Sequence, residues 1–137
     1  MLGERTYENI LYEYNGPVAT ITMNRPEKRN ALSMAHMQEL TDCFRRVGEE
    51  REVQVVILAA NGPAFCSGHD LSEMIGRTPE EYRRIFDVCT GLMTTIRSIP
   101  QPVIARVHAT ATAAGCQLAA TCDLVVASEE ARFATPG

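Results

Sequence analysis

The 137-residue sequence lacks the features that mark several common classes of protein. Its five cysteines, at positions 43, 66, 89, 116 and 122, are odd in number and form no CxxC pair, so neither a disulfide framework nor a zinc site is indicated. Positive charge is not in excess: the formal net charge is −4, and a general nucleic-acid binder needs a basic face. We therefore expect reduced thiols, no bound metal and no nucleic-acid partner.

Long apolar segments are also missing. The N-terminus MLGERTYENI carries Glu4 and Glu8 and has no apolar stretch of signal length, and no later segment approaches eighteen uninterrupted apolar residues. We expect no targeting segment, no insertion into a membrane and a location in the cytoplasm. With 45% apolar residues, the chain has the size of one domain, and a single domain over 1–137 is expected.

Four segments carry the patterns of β-strands. ILYEYNGPVATITM (10–23) alternates apolar and polar positions on both sides of Asn15-Gly16-Pro17, which is typical of a hairpin. VQVVILAA (53–60) is short, apolar and β-branched, which favours a strand buried on both faces of a parallel sheet. VIARV (103–107) predicts another buried strand, and DLVVA (123–127) a further one.

Helices are predicted between these strands, so the chain alternates β and α elements. Ser33 can cap a helix that should end near Arg51, with an apolar face formed by Met37, Leu40, Phe44 and Val47. Thr78-Pro79-Glu80-Glu81 combines a capping box with proline at the first helical position, and Pro100 and Pro102 stop that helix. Its apolar stripe consists of Tyr82, Ile85, Phe86, Cys89, Leu92, Met93 and Ile96.

Small residues follow two of the predicted strands, in SGHD (67–70) and TATAAG (110–115). Ligands of open α/β sheets bind outside the carboxyl ends of the strands, and small residues let backbone N–H groups approach a ligand closely. Two such groups aimed at one oxygen form an oxyanion hole, which stabilises negative charge on a carbonyl. Glycine and alanine are equally ordinary in tight strand-to-helix turns, so composition leaves both interpretations open.

Three motifs in this order and spacing resemble the crotonase superfamily, the enoyl-CoA hydratase and isomerase fold. They are TMNRPEKRNALS (22–33), AFCSGHDLSEM (64–74) and ATAAGCQLAATCDLVVAS (111–128). The resemblance covers essentially the whole chain but only about the N-terminal half of a usual member. It implies an α/β fold of the ββα spiral type, here its N-terminal core portion without the helical C-terminal trimerisation region. With that region present, a homotrimer or hexamer is implied, and a eukaryotic member would lie in the mitochondrial matrix.

The resemblance also implies which backbone groups form the oxyanion hole, namely the N–H groups of His69 and Ala114. Because both donors are main-chain groups, the His69 imidazole need not take part, and it is either a ring at the pocket rim or a proton carrier. Cys66 and Ser67 invite a nucleophile hypothesis, but GPAFCSG does not fit the GxSxG elbow and no adjacent base is visible.

The two hydratase glutamates of the family are missing. The matching residues are Gln117 and Gly137, and neither an amide nor glycine can act as a base, so the standard hydration mechanism does not carry over. Two usual glycines of the third motif are Ala113 and Ala114, although Gly115 remains. Alanine leaves the N–H group accessible but narrows the choice of backbone angles.

The implied ligand is an acyl-CoA thioester, bound as substrate with no permanently bound cofactor. Arg25, Lys28 and Arg29 gather three cations in the first loop and could meet the phosphates of CoA, or they could be a solvated turn. Asp70 is expected to brace its own loop, and Asp123 to begin a strand or close a turn. Further implied substrate contacts are Ala31, Ser67, Gly68, Asp70, Leu71, Ala113 and Gly115.

Three functions agree with these residues. The first is a CoA-thioester enzyme of hydratase or isomerase type whose acid and base lie elsewhere. The second is a non-catalytic acyl-CoA binder, which the replacements at Gln117 and Gly137 favour. The third is a regulatory subunit that joins the oligomers of active relatives.

Overall fold

A computed structural model describes residues 6–136 of the chain. Three helices, α1 to α3, span Met34–Gly48, Pro79–Ser98 and Ala114–Thr121. Short 3-10 helices lie at Pro26–Lys28 and Leu71–Glu73. The strands β1 to β8 are Ile10–Asn15, Val18–Met23, Val55–Ala60, Ala64–Cys66, Val103–Val107, Thr110–Thr112, Leu124–Ala127 and Phe133–Ala134.

The strands form two sheets, and the chain visits them in turn. A five-stranded sheet has the order β1-β2-β3-β5-β7, antiparallel between β1 and β2 and parallel elsewhere. A three-stranded parallel sheet has the order β4-β6-β8. Each unit of two strands, β3-β4, β5-β6 and β7-β8, gives one strand to each sheet, and α2 and α3 follow the first two units. Successive turns of this ββα path stack the ends of β4 and β6 side by side.

The hydrophobic core lies between the five-stranded sheet and the helices. Apolar residues of β2, β3 and β5 contact the inner faces of α1 and α2, and Phe44, Phe65 and Leu92 are fully buried among them. The predicted hairpin is confirmed, with Asn15 paired to Val18. The prediction that β3 is buried on both faces holds only in part, because Val56 and Leu58 on one face are fully buried whereas Val55 and Ile57 on the other face are half-buried. β7, at the edge of its sheet, is exposed along its whole length.

The predicted helix caps are confirmed. The Ser33 hydroxyl accepts a hydrogen bond from the His36 N–H at 3.1 Å. The Thr78 hydroxyl accepts from the Glu81 N–H at 3.1 Å, and the Glu81 carboxylate accepts from the Thr78 N–H at 2.9 Å, which completes the capping box. Asp123 precedes β7, where its carboxylate accepts from the Val103 N–H at 2.7 Å, so it begins a strand as expected.

Three details of the sequence prediction were wrong. Helix α1 ends at Gly48 rather than near Arg51, because the Glu49 N–H already closes a tighter turn onto Arg46. Phe86 is 49% exposed and does not belong to the core stripe of α2, since it faces the loop after β4. Thr110–Thr112 form strand β6 between β4 and β8, so only the second half of TATAAG is a turn.

Within residues 6–136, no helix is long and apolar enough to cross a membrane. The same residues contain no cluster of three or more histidine, cysteine, aspartate or glutamate side chains that could hold a metal ion.

Candidate functional site

A cavity of about 590 Å³ opens where the loop after β4 meets the turn that leads into α3. The ends of β4 and β6 bring these two segments together, which is one of the two possibilities that the sequence left open for the small-residue motifs. Seven of the predicted site residues line the cavity: Lys28, Ala31, Ser67, His69, Asp70, Leu71 and Ala113. Five lining residues were not predicted from the sequence: Ser72, Met74, Phe86, Thr112 and Pro136.

The loop after β4 is held against the first motif by a short parallel bridge at His69. The Leu32 N–H donates to the Gly68 carbonyl at 2.7 Å, and the Asp70 N–H donates to the Leu32 carbonyl at 3.2 Å. These two hydrogen bonds use the Gly68 carbonyl and the Asp70 N–H, on either side of His69. The N–H of His69 itself has no hydrogen-bond partner among residues 6–136. The His69 N–H is therefore a donor available at the cavity wall.

The second wall is the turn before α3. Ala113 has φ 54° and ψ −125°, a left-handed conformation that glycine usually occupies, and it directly precedes the helix. Ala114 is the first residue of α3, so its N–H cannot have a partner within the helix. Nor does it find a partner elsewhere in the part of the chain that the structure describes. It is a second free main-chain donor next to the cavity.

Gly68 is the point where the two loops touch. A Cβ atom placed there would lie 3.2 Å from the Ala113 Cβ and 3.6 Å from the Ala114 nitrogen, and Gly68 has φ +102°. The peptide unit that carries the His69 N–H therefore lies against the residue that carries the second free N–H. That both groups point at one common spot stays a prediction.

Gly115 is a further close contact behind the cavity. A Cβ atom there would overlap Cys66, with its carbonyl carbon at 2.7 Å and its own Cβ at 2.8 Å. The nearest of these atoms belong to the Cys66 carbonyl group, which is part of the backbone and cannot turn aside, so the contact leaves no room for alanine. The structure thus explains why this glycine is present although its two neighbours in the motif are alanines.

The predicted cation cluster divides into two parts. Arg25 faces inward: its guanidinium donates to the Ala31 carbonyl at 2.6 Å and pairs with Asp70 at 3.4 Å. Lys28 and Arg29 are exposed, and Lys28 lines the cavity. Arg25 therefore braces two loops against each other, and Lys28 and Arg29 remain as cations that a ligand could reach.

Asp70 braces its own loop, as predicted. Its carboxylate accepts from the Ser72 N–H at 3.0 Å and from the Ser72 hydroxyl at 2.6 Å, and it caps the 3-10 helix that follows. These hydrogen bonds and the Arg25 guanidinium hold the pKa of Asp70 below its usual value. The carboxylate is ionised and occupied, which makes it a poor general base.

Asn30 is a positioning residue that the sequence reasoning missed. It is fully buried with φ 57°, and its side-chain oxygen accepts from the Arg25 N–H at 2.8 Å. Its amide nitrogen donates to the carbonyls of Asn61 at 2.9 Å and Ala64 at 3.0 Å. One amide thus connects the first motif to both ends of the turn between β3 and β4. An asparagine after two cations in a short loop was the available signal, since asparagine tolerates the left-handed region.

The His69 imidazole lies against Phe86 of α2, with ring centroids 5.5 Å apart and planes at 89°. Its Nδ1 is buried with no hydrogen-bond partner among residues 6–136. Burial also lowers the pKa of His69, because desolvation disfavours the charged ring. The imidazole is therefore neutral at neutral pH.

Three further candidates are Cys66, Gln117 and Gly137. Cys66 is fully buried, donates to the Asn30 carbonyl at 3.2 Å, and has its pKa raised to about 12 by burial, which agrees with its rejection as a nucleophile. Gln117 is exposed on α3 and does not line the cavity. Gly137, the position of the second family glutamate, lies outside the described residues.

Comparison with known proteins gives a consistent result at the level of sequence. The profile of the enoyl-CoA hydratase/isomerase family matches residues 13–137. The mitochondrial enoyl-CoA hydratase domain-containing protein 3 of Danio rerio is 46% identical over 128 residues, which are 93% of this chain and 44% of that protein. The human protein of the same name is 43% identical over 121 residues, 88% of this chain and 40% of its own length. The chain thus spans less than half the length of these relatives.

Solved structures share the fold. The crystal structure of human enoyl-CoA hydratase domain-containing protein 3 superimposes with a TM-score of 0.91 at 39% identity, over 95% of this chain and 52% of that one. An enoyl-CoA hydratase from Mycobacterium smegmatis gives a TM-score of 0.89 at 48% identity, over 92% of this chain and 50% of that one. The predicted α/β fold is therefore confirmed, and the chain belongs to the enoyl-CoA hydratase/isomerase family of the crotonase superfamily.

Proposed function

We propose that the chain binds an acyl-CoA thioester in this cavity, with the thioester oxygen accepting hydrogen bonds from the N–H groups of His69 and Ala114. One observation carries the proposal. Two main-chain donors that have no partner among the described residues stand on two loops that touch at Gly68, beside a cavity in a member of this family. Such donors stabilise the charge that develops on a thioester oxygen when an enolate forms.

The CoA end of the ligand would meet Lys28 and Arg29. Both side chains are exposed, and Lys28 lines the cavity. The Arg25 guanidinium, in contrast, already donates to the Ala31 carbonyl and pairs with the Asp70 carboxylate. In a chain with a net charge of −4, these local cations would attract phosphates against a generally unfavourable charge.

The carbonyl contact can be tested from the side of the ligand, which leaves the protein unchanged. Butyryl-CoA and its thioether analogue S-butyl-CoA differ only in the carbonyl group, and their affinities can be measured by isothermal titration calorimetry. Two neutral hydrogen bonds of about 1 kcal/mol each predict roughly tenfold to thirtyfold weaker binding of the thioether. Equal affinities would rule out the paired donors as a thioester site.

A second candidate function is acyl-CoA binding without catalysis of hydration. The exposed amide of Gln117 favours it, since hydration needs both a base and an acid and Gln117 supplies neither. We expect the unmodified chain to hydrate crotonyl-CoA at a rate close to background in a spectrophotometric assay. Gln117→Glu should restore at most part of the family activity, and rapid hydration by the unmodified chain would contradict this candidate.

A further inference from the structure

The proposed function uses only the main-chain N–H of His69, yet the side chain of this residue also lies in the cavity. The ring lines the cavity and is fixed edge to face against Phe86. Because Nδ1 is buried and has no partner in the described part of the chain, Nε2 is the ring nitrogen that a ligand can reach. The imidazole and the free N–H of the same residue therefore stand at one wall of one cavity.

The charged groups around this ring leave it uncharged and available. Lys28, in the first loop, and Asp70, next to His69 in the loop after β4, line the cavity, and the Asp70 carboxylate is already held by Ser72 and Arg25. Helix α2 contributes Phe86 and no charged side chain to the lining. No carboxylate is paired with His69 within residues 6–136, so burial alone governs the protonation of the ring and favours its neutral form.

Other proton carriers are excluded by their positions. Cys66 is buried and protonated, Asp70 is occupied, and an ammonium group such as that of Lys28 is a hydrogen-bond donor only. Among the described residues that line the cavity, the His69 ring is the neutral basic side chain whose nitrogen lone pair is left to accept a proton.

We propose that His69 carries a proton to and from the α-carbon of the bound acyl thioester, an inference that rests on the proposed thioester site. Nε2 accepts the α-proton while the C–H electron pair moves into the enolate, whose oxygen is held by the two main-chain N–H groups. The proton on Nε2 exchanges with solvent, and a solvent proton returns to the α-carbon. In D₂O the net reaction converts one α C–H and one D₂O into C–D and HOD, with no other reactant.

This chemistry needs a single proton carrier, which distinguishes it from hydration. Hydration requires a base for water and an acid for the α-carbon at the same time, whereas α-proton exchange uses one group in both directions. The chain is therefore expected to exchange the α-protons of a saturated thioester although it does not hydrate an unsaturated one.

The test measures deuterium incorporation into butyryl-CoA in D₂O by mass spectrometry. The unmodified chain should incorporate deuterium, and His69→Gln should slow incorporation by about 10²-fold or more, the usual contribution of a general base. Affinity for butyryl-CoA should change by less than about threefold, because the variant keeps the main-chain N–H. The matched control is His108→Gln, which alters a histidine outside the cavity whose ring nitrogen contacts the Gly62 carbonyl, and it should exchange at the unmodified rate.

A pH profile supplies an independent measurement on the unmodified chain. The exchange rate should rise with pH through a midpoint below 6.5 and then level off, since burial lowers the pKa of His69 and only the neutral ring accepts a proton. A flat profile, or a His69→Gln variant that is folded by circular dichroism and exchanges at the unmodified rate, would overturn the inference while leaving thioester binding intact. Equal affinities for butyryl-CoA and S-butyl-CoA would instead remove the proposed function itself.

Discussion

Replacement of Ala113 by glycine should make the chain more stable, which is unusual for the removal of a methyl group. Ala113 has φ 54° and ψ −125°, the conformation of the first central residue of a type II′ turn, and its Cβ is turned toward Gly68. An L-residue with a side chain pays about 1–3 kcal/mol to stay in such a region. Glycine occupies it freely.

The gain is reduced by the greater freedom of glycine in the unfolded chain, which costs about 0.5–1 kcal/mol. The difference leaves roughly 0–2.5 kcal/mol of added stability for Ala113→Gly, with about 1 kcal/mol near the middle of that range. For a domain of this size, about 1 kcal/mol corresponds to about 3 °C in melting temperature. Urea unfolding followed by far-ultraviolet circular dichroism, with calorimetric melting alongside, resolves a change of this size.

Ala120→Gly is the matched control. Ala120 is an exposed residue of helix α3, the helix that Ala113 precedes. The same loss of a methyl group at Ala120 should cost about 1 kcal/mol. The two variants are thus expected to shift stability in opposite directions. A loss of stability in both would refute the strain that we assign to Ala113.

The remaining predictions concern close contacts and titrating groups. Gly115→Ala should lower the free energy of unfolding by about 1–3 kcal/mol in urea titrations, because its Cβ would overlap Cys66, and unchanged stability would show that the loops can separate. Burial lowers the pKa of His36 to about 4, so the unfolded state binds more protons between pH 4 and 6.5 and stability falls as pH falls through that range. The loss approaches roughly 3 kcal/mol at the acid end, and folded His36→Gln should show a shallower decline between pH 7 and 4.5. Asp70→Asn should cost about 1 kcal/mol through the lost pair with Arg25, and this cost should shrink in 1 M salt.

Those parts of the fold that depend on short stretches of chain could be predicted from the sequence. Ser33 and Thr78 mark the starts of α1 and α2 because their capping hydrogen bonds reach only three residues ahead. Strand β3 could be predicted because its run of β-branched residues is a local pattern, which does not depend on residues far away in the sequence. The three-residue strands of the second sheet carry no such pattern, and β6 is a strand because β4 and β8 lie beside it.

Those parts of the site that depend on long-range contacts could not be predicted in this way. The spacing of Arg25, Lys28 and Arg29 suggests one cluster, yet Arg25 turns toward Asp70, forty-five positions away, and the other two remain exposed. Phe86 follows the helical period of α2, but that part of the helix passes over the loop after β4 instead of the sheet, so its neighbour is His69. The spacing of apolar residues along a helix does not show which surface each part of the helix packs against.

The buried amide of Asn30 makes this part of the molecule sensitive to chemical ageing. Hydrolysis of that amide to a carboxylate would exchange two N–H donors for an acceptor that faces the carbonyls of Asn61 and Ala64, and would place a charge where water does not reach. In the folded state the amide is shielded and fixed by three hydrogen bonds, so its hydrolysis requires this edge to open. The rate of deamidation at Asn30 would therefore report how often this edge opens. Each deamidation would be irreversible. The product would lose the hydrogen bonds by which Asn30 holds the first motif against the turn between β3 and β4.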